Sequence, residues 1–126
     1  MLDTVIRVLI ADDHPLMRKG LVDILTGVEG IEVVGAAEDG AAAVALAYAV
    51  RPDIVLMDIS MPGMDGIEAT QQLSEMSTGA RVVMLTSYAE SEKITEALAA
   101  GAVSYLTKDA PPEAVIRAIR SAAAAR

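Results

Sequence analysis

The chain has 126 residues, 53% of them hydrophobic, and this length and composition predict one domain with a buried core and exclude a disordered chain. Its formal net charge of −8 disfavours direct nucleic-acid binding by this segment, because such binding depends on Lys and Arg neutralising phosphates. Cysteine is absent, which excludes disulfides and thiol catalysis, and no apolar run reaches the roughly 18 residues of a membrane span, so we expect a cytoplasmic domain without membrane contact.

Five short apolar runs rich in β-branched residues alternate with five segments of helical periodicity. Their strict alternation predicts a parallel sheet covered by helices on both faces. The second strand is the least apolar of the five, so we expect it at an edge of the sheet. In chain order, the predicted elements are strand Val5–Ala11, helix Pro15–Thr26, strand Ile31–Ala36, helix Gly40–Val50, strand Asp53–Met57, helix Asp65–Met76, strand Arg81–Leu85, helix Glu90–Ala100, strand Ala102–Leu106 and helix Pro112–Ala124.

Polar side chains stand at the carboxyl ends of four predicted strands, which is where sites form in doubly wound sheets. Asp12 and Asp13 follow the first strand, and Asp58 follows the third. Thr86 follows the fourth strand, and Lys108 follows the fifth. If the first and third strands are neighbours, three carboxylates meet at one edge, where they repel one another unless a cation neutralises them. Because Mg²⁺ takes oxygen ligands, the sequence predicts a magnesium site beside a reactive aspartate, Asp58.

Taken together and in this order, these motifs resemble the receiver domain of two-component response regulators over essentially the whole chain. The residues that carry the resemblance are Asp12-Asp13, Asp58 with Met61-Pro62-Gly63-Met64-Asp65-Gly66, Thr86-Ser87, and Tyr105-Leu-Thr-Lys108. Details such as Ala11–Pro15 and Lys108–Ala110 look like the NarL/LuxR-type branch. The resemblance implies a flavodoxin-like α/β fold, a single doubly wound (βα)5 receiver domain whose five parallel strands have the order 2-1-3-4-5.

The resemblance also implies a phosphorylation-activated signalling switch. Asp58 would accept a phosphoryl group from a phosphohistidine of a sensor histidine kinase, and Lys108 and Thr86 would contact the phosphoryl oxygens. Thr86 and Tyr105 would form the switch, the aromatic ring turning inward as the hydroxyl moves toward the phosphate. Tyr88 is expected to hang over the site and to slow the attack of water. Catalysis would be limited to the chain's own phosphorylation and dephosphorylation, so it would not be an enzyme acting on another substrate.

The same resemblance implies the ligands of Mg²⁺, or of another divalent cation. The carboxylates of Asp13 and Asp58 and the backbone carbonyl of Ser60 would bind the ion directly. Asp12 would act largely through a metal-bound water. The single histidine, His14, is interpreted as a turn residue before Pro15 rather than as a ligand.

Regulators of this branch usually continue into a helix-turn-helix DNA-binding domain, and residues 1–126 are interpreted as the receiver domain alone. The chain would then be a fragment of a transcription regulator, with phosphorylation acting on dimerisation or on the output domain. Two alternatives stay open: a stand-alone receiver, and a pseudo-receiver that docks partners without being phosphorylated.

Two other functional classes fit the residues less well. A haloacid-dehalogenase-type phosphatase needs a second aspartate two residues after its nucleophile, and Ser60 stands at that position. A flavodoxin-type ligand binder needs a hydroxyl-rich phosphate loop after the first strand. Asp12 and Asp13, which occupy that loop, would repel phosphate.

Overall fold

The structure, a computed structural model, describes residues 4–124, with Tyr88 described by its backbone alone. Every predicted strand and helix is present, and most boundaries agree within the usual ambiguity of such assignments. The strands are β1 (Ile6–Ala11), β2 (Ile31–Ala37), β3 (Ile54–Asp58), β4 (Arg81–Thr86) and β5 (Ser104–Thr107). The helices are α1 (Pro15–Thr26), α2 (Gly40–Val50), α3 (Gly66–Met76), α4 (Ile94–Ala100) and α5 (Pro112–Ala124).

The five strands form one parallel sheet in the order β2-β1-β3-β4-β5, which confirms the predicted topology and places β2 at an edge. Because β1 pairs with both β2 and β3, the direction of strand succession reverses there. In the β1–β3 register, Ala11 lies opposite Met57. The residues that follow them are Asp12 and Asp58, so the register brings both carboxylates to one point of the carboxyl edge. Ligand sites of doubly wound sheets form at this switch in strand order.

Two apolar layers hold the helices against opposite faces of the sheet. Successive strand residues point to opposite faces, so Leu9 and Val55 belong to the layer under α2, α3 and α4. Ile10 and Leu56 belong to the layer under α1 and α5. Each fully buried side chain of this size contributes roughly 1.5–3 kcal/mol. Burial on both faces explains why the central strands are continuous apolar runs, and it fixes the positions of their polar ends.

Two strand ends differ from the prediction in a way that affects the site. Asp58 and Thr86 are the last residues of β3 and β4, whereas the sequence interpretation placed each of them just after its strand. Asp58 lies opposite Leu85, and Thr86 lies opposite Thr107. Strand pairing therefore fixes the backbone of both residues.

The prediction of one continuous helix Glu90–Ala100 is wrong at its start. A 3₁₀ helix, Tyr88–Lys93, comes first, and α4 begins only at Ile94. A capping box accounts for the earlier start, since the Glu90 carboxylate accepts a hydrogen bond from the Ser87 backbone N–H at 3.1 Å. Within α4, Ala97 is buried, whereas Leu98 is 45% exposed, which leaves the helix weakly anchored.

In residues 4–124, no helical segment combines the length and the hydropathy that a bilayer crossing requires.

Candidate functional site

Asp58 is a fully buried carboxylate at the end of the central strand β3. Its Oδ1 accepts a hydrogen bond from the Ser60 backbone N–H at 3.2 Å. Its Oδ2 accepts a hydrogen bond from the Lys108 ammonium at 2.8 Å. The side chain is thus held by the β3–α3 loop on one side and by the β5–α5 loop on the other.

Asp12 and Asp13 lie beside Asp58, as the strand-end pattern predicted. Asp12 is fully buried, and its Oδ1 accepts the His14 backbone N–H at 2.8 Å. The Asp13 side chain is 30% exposed. Among the residues that the structure describes, no donor makes a hydrogen bond to Asp12 Oδ2 or to Asp13 Oδ1. Two buried carboxylate oxygens therefore face the site with unused lone pairs, an arrangement that favours a cation.

His14 joins these carboxylates, a position that sequence reasoning did not find. It is the N-cap residue of α1, so its backbone does occupy the predicted turn before Pro15. Its Nδ1 nevertheless lies 3.2 Å from Asp12 Oδ1 and 3.2 Å from Asp13 Oδ1. One ligand atom from each member of the set falls within 4.8 Å of the others; we call this set the acidic cluster, formed by Asp12, Asp13, His14 and Asp58.

Lys108 supplies the positive charge at the site. Its backbone N–H donates to the Thr86 carbonyl at 2.8 Å, which ties the β5–α5 loop to the end of β4. Its Nζ lies 2.8 Å from Asp58 Oδ2 and 3.6 Å from Asp12 Oδ2. Burial alone would lower the pKa of Lys108, but the hydrogen bond and charge of Asp58 outweigh it and hold this pKa above its ordinary value.

Burial raises the pKa of Asp58 from its ordinary value of 3.8 to about 7, and the negative charge of Asp12 adds to the effect. The Lys108 hydrogen bond lowers the Asp58 pKa but does not offset the loss of solvent. Asp58 and Lys108 form one ion pair, and both pKa values are raised. For Asp58, the loss of solvent outweighs the attraction of Lys108. For Lys108, the attraction of Asp58 outweighs the loss of solvent. A further cation at the cluster would lower the pKa of Asp58 and favour its charged form.

This raised pKa predicts a pH-dependent stability of the metal-free protein. A raised carboxyl pKa stabilises the fold below pH 4, and this contribution is lost as the pH rises toward 7. In Asp58→Asn the contribution cannot titrate, so the variant should gain free energy of unfolding relative to the parent between pH 5 and 7. The free energies of unfolding of the variant and the parent should diverge by at most about 1.4 kcal/mol per pH unit. Urea unfolding in EDTA from pH 5 to 8 measures it, and parallel pH profiles for the two proteins would contradict the assignment.

Thr86 and Tyr105 lie at the neighbouring strands β4 and β5. Thr86 is buried, and its hydroxyl donates to the Ser87 backbone carbonyl at 3.1 Å. Tyr105, on the edge strand β5, is 51% exposed. The side chain of Tyr88, predicted to hang over the site, lies outside the described part of the chain.

Glu90 is a second residue of the site region that sequence reasoning missed. Its carboxylate accepts hydrogen bonds from the Ser60 hydroxyl and from the hydroxyl and backbone N–H of Ser87. Burial would raise the pKa of Glu90, but these hydrogen bonds hold it below its ordinary value. Through Ser60, which also contacts Asp58, Glu90 links the loop after β3 to the 3₁₀ helix before α4.

Replacing Glu90 with glutamine should loosen the 3₁₀ helix Tyr88–Lys93. A hydrogen bond to a charged group contributes about 1.5–3 kcal/mol, so amide exchange in this segment should accelerate about tenfold or more. Hydrogen–deuterium exchange measures it. The exposed neighbour Glu92 provides the matched control, because Glu92→Gln makes the same chemical change outside this hydrogen-bond network. Equal protection in the two variants would rule out the link.

Fold and site together define a doubly wound α/β domain in which a carboxylate-rich cluster faces a lysine. The chain belongs to the response regulator receiver domain family, whose profile matches residues 8–120. The resemblance drawn from the motifs, including its NarL/LuxR-type branch, is thereby confirmed.

Relatives of known name agree with this assignment. The transcriptional regulatory protein LiaR of Bacillus subtilis is 44% identical over 117 residues, which cover 93% of this chain and 56% of LiaR. The response regulator GacA of Pseudomonas aeruginosa is 43% identical over 115 residues, which cover 91% of this chain and 54% of GacA. The chain thus spans about half the length of the curated relatives it matches.

Solved structures show the same fold. The signal receiver domain of the response regulator NarL from Mycobacterium tuberculosis matches with a TM-score of 0.93 at 36% identity, covering 98% of this chain and 99% of that one. A LuxR-family response regulator from Aurantimonas sp. matches with a TM-score of 0.90 at 35% identity, covering 98% of this chain and 88% of that one.

Proposed function

We propose that this receiver domain is a phosphorylation-activated switch in which Asp58 accepts a phosphoryl group from a phosphohistidine of a sensor histidine kinase. The observation that carries the proposal is the environment of the Asp58 carboxylate. This carboxylate is buried, it accepts a hydrogen bond from the Lys108 ammonium at 2.8 Å, and it belongs to the acidic cluster. Phosphoryl transfer depends mainly on positioning and on charge neutralisation, and this arrangement supplies both.

The donor set supports Mg²⁺, or another divalent cation, as the partner of Asp58. The unused oxygens Asp12 Oδ2 and Asp13 Oδ1 are hard ligands at the cluster. We assign direct binding to the carboxylates of Asp13 and Asp58 and to the Ser60 backbone carbonyl. Asp12 would act through a water molecule. When bound, the cation supplies positive charge that offsets the crowded carboxylates and the incoming phosphoryl oxygens.

In the transfer step, an oxygen of Asp58 attacks phosphorus, so an O–P bond forms while the N–P bond of the phosphohistidine breaks. The electron pair of the broken bond returns to the imidazole ring of the kinase, which takes up a proton. Lys108, paired with the free carboxylate beforehand, then faces a phosphoryl oxygen. Attack of water on phosphorus later releases phosphate and regenerates Asp58. The chain thus turns over its own aspartyl phosphate and is not an enzyme for another substrate.

The switch follows from the charge that phosphorylation adds, about −1.5 to −2. The new phosphoryl oxygens compete for the Thr86 hydroxyl, which must release the Ser87 carbonyl to reach them. The exposed ring of Tyr105 then turns inward, and the surface of β5 and α4 changes. The weak anchoring of α4 makes this region the easiest part of the fold to rearrange.

The partners follow from the family and from the length of its members. A sensor histidine kinase would donate the phosphoryl group, in the cytoplasm. Because the relatives are about twice as long and include a protein named a transcriptional regulatory protein, we infer a transcription-regulating output domain of the helix-turn-helix type in the full protein. The negatively charged receiver would not bind DNA itself, and phosphorylation would act on homodimerisation or on the output domain.

Intact-mass spectrometry after incubation with acetyl phosphate tests the proposal. We expect a gain of one phosphate in the presence of Mg²⁺ and no gain in EDTA. Equal phosphate uptake with Mg²⁺ and with EDTA would count against the acidic cluster as a metal-binding site. No uptake under either condition would favour a docking module that works without phosphorylation.

A further inference from the structure

The imidazole of His14 faces the acidic cluster although most of the side chain is exposed. Its Nδ1 lies 3.2 Å from Asp12 Oδ1, 3.2 Å from Asp13 Oδ1 and 3.8 Å from Asp58 Oδ2. The side chain as a whole is 65% exposed, so neighbouring apolar packing does not account for the position of its nitrogen. His14 Nδ1 therefore lies where it can bind the same metal ion as the neighbouring carboxylates.

The local sequence sets this orientation. Pro15 follows His14 and restricts it to extended backbone, and His14 indeed has φ −91° and ψ 112°. The His14 backbone N–H donates to Asp12 Oδ1 at 2.8 Å, which closes a tight turn over the end of β1. Backbone and turn together place the His14 ring beside Asp12.

The distances around Nδ1 match the spacing of ligands around a divalent ion. An octahedral ion with bonds of about 2.1 Å separates adjacent ligands by about 3.0 Å and opposite ligands by about 4.2 Å. The separations of 3.2 Å from Asp13 Oδ1 and 3.8 Å from Asp58 Oδ2, the two carboxylates assigned to direct binding, fall within this range. Independently, the fully buried Asp12 keeps an oxygen, Oδ2, that receives no hydrogen bond from the described residues.

The contacts of His14 Nδ1 fit two forms of the ring. The contact with Lys108 Nζ at 3.2 Å needs Nδ1 as an acceptor, because an ammonium group only donates. The contact with Asp12 Oδ1 at 3.2 Å needs a proton on Nδ1, because a carboxylate only accepts. In the first form, the Nδ1 lone pair is available to a metal ion.

We propose that His14 is a nitrogen ligand of this metal site and that it shifts the preference of the site from Mg²⁺ toward divalent transition ions, including Mn²⁺. The proposal rests on the metal site of the proposed function and adds to it the identity of one ligand. An all-oxygen set suits Mg²⁺, whereas imidazole favours transition ions, whose affinity for nitrogen is higher. The chain would thereby take up Mn²⁺ when both ions are present.

Mn²⁺ binding followed by electron paramagnetic resonance tests this directly. The parent protein should bind Mn²⁺ at least about tenfold more tightly than Mg²⁺ in competition, and pulsed spectra should show the ¹⁴N coupling of an imidazole. Because His14 is the only histidine, that coupling has a single source. In His14→Ala the coupling should vanish, Mn²⁺ affinity should fall about tenfold and Mg²⁺ affinity should change little.

Asp13→Asn separates this inference from the underlying metal site, because it should lose affinity for both ions. If His14→Ala binds Mn²⁺ as the parent does and the parent shows no imidazole coupling, the nitrogen ligand is refuted while the site stands. If Asp13→Asn leaves the binding of both ions unchanged, the metal site itself is refuted, and the ligand with it. His14→Asn, which keeps a polar side chain, should behave like His14→Ala.

Discussion

Asp58→Asn should take up no phosphate from acetyl phosphate, at any concentration of Mg²⁺. The amide has the shape of the carboxylate but neither its negative charge nor its nucleophilic oxygen, so the O–P bond cannot form. The loss should be complete rather than partial, because no other carboxylate combines full burial at a strand end with a hydrogen bond to Lys108 among the described residues. Intact mass reports the result, and circular dichroism checks that the variant is folded.

Asp23→Asn is the matched control for this experiment. Asp23 lies on α1 with its side chain 61% exposed and forms an ordinary helical ion pair with Lys19. Such a pair contributes only a few tenths of a kcal/mol, so this variant should gain phosphate like the parent. A phosphate gain in Asp58→Asn equal to that of the control would mean that the acceptor lies elsewhere.

Gly66→Ala should lower the free energy of unfolding by about 3 kcal/mol or more. Gly66 begins α3 directly against the end of β3, and its N–H donates to the Ile59 carbonyl at 3.0 Å. A Cβ there would overlap the Asp58 carbonyl oxygen and lie 3.0 Å from the Asp58 carbonyl carbon. Because both partners are backbone, α3 or the strand end must shift, and phosphate uptake at Asp58 should fall as well.

Gly20→Ala makes the same substitution where there is room. Gly20 lies within α1, and nothing stands within 4 Å of a Cβ built on it. Alanine in a helix interior should raise stability by roughly 0.5–1 kcal/mol. Thermal unfolding of both variants should therefore show shifts of opposite sign, and a small shift for Gly66→Ala would mean that the β3–α3 junction is more yielding than its contacts indicate.

The sequence was sufficient to predict the residues whose positions follow from topology. Asp12, Asp58 and Lys108 follow or end apolar strands, and in a parallel sheet such ends must meet. Their convergence therefore needed only the alternation of strands and helices and the strand order implied by the family. The edge position of β2 followed in the same way from the weaker apolar character of that strand.

His14 and Glu90 were missed because their positions depend on side-chain direction rather than on topology. A lone histidine before a proline has the pattern of any turn residue, and only the turn over Asp12 aims its ring inward. For Glu90 a signal existed, since Ser87 followed three residues later by Glu90 is a capping box. The segment was interpreted as one helix from Glu90, which missed the separate 3₁₀ helix that begins at Tyr88.

The most direct test of Asp58 as the phosphoacceptor is to locate the phosphoryl group within the chain. Borohydride reduces an aspartyl phosphate to homoserine, so reduction of the phosphorylated protein followed by peptide mass spectrometry identifies the modified residue. We expect homoserine at position 58, dependent on Mg²⁺ and absent from Asp58→Asn. Homoserine at another aspartate, or phosphate on a hydroxyl that borohydride leaves intact, would contradict the assignment of Asp58 as the acceptor.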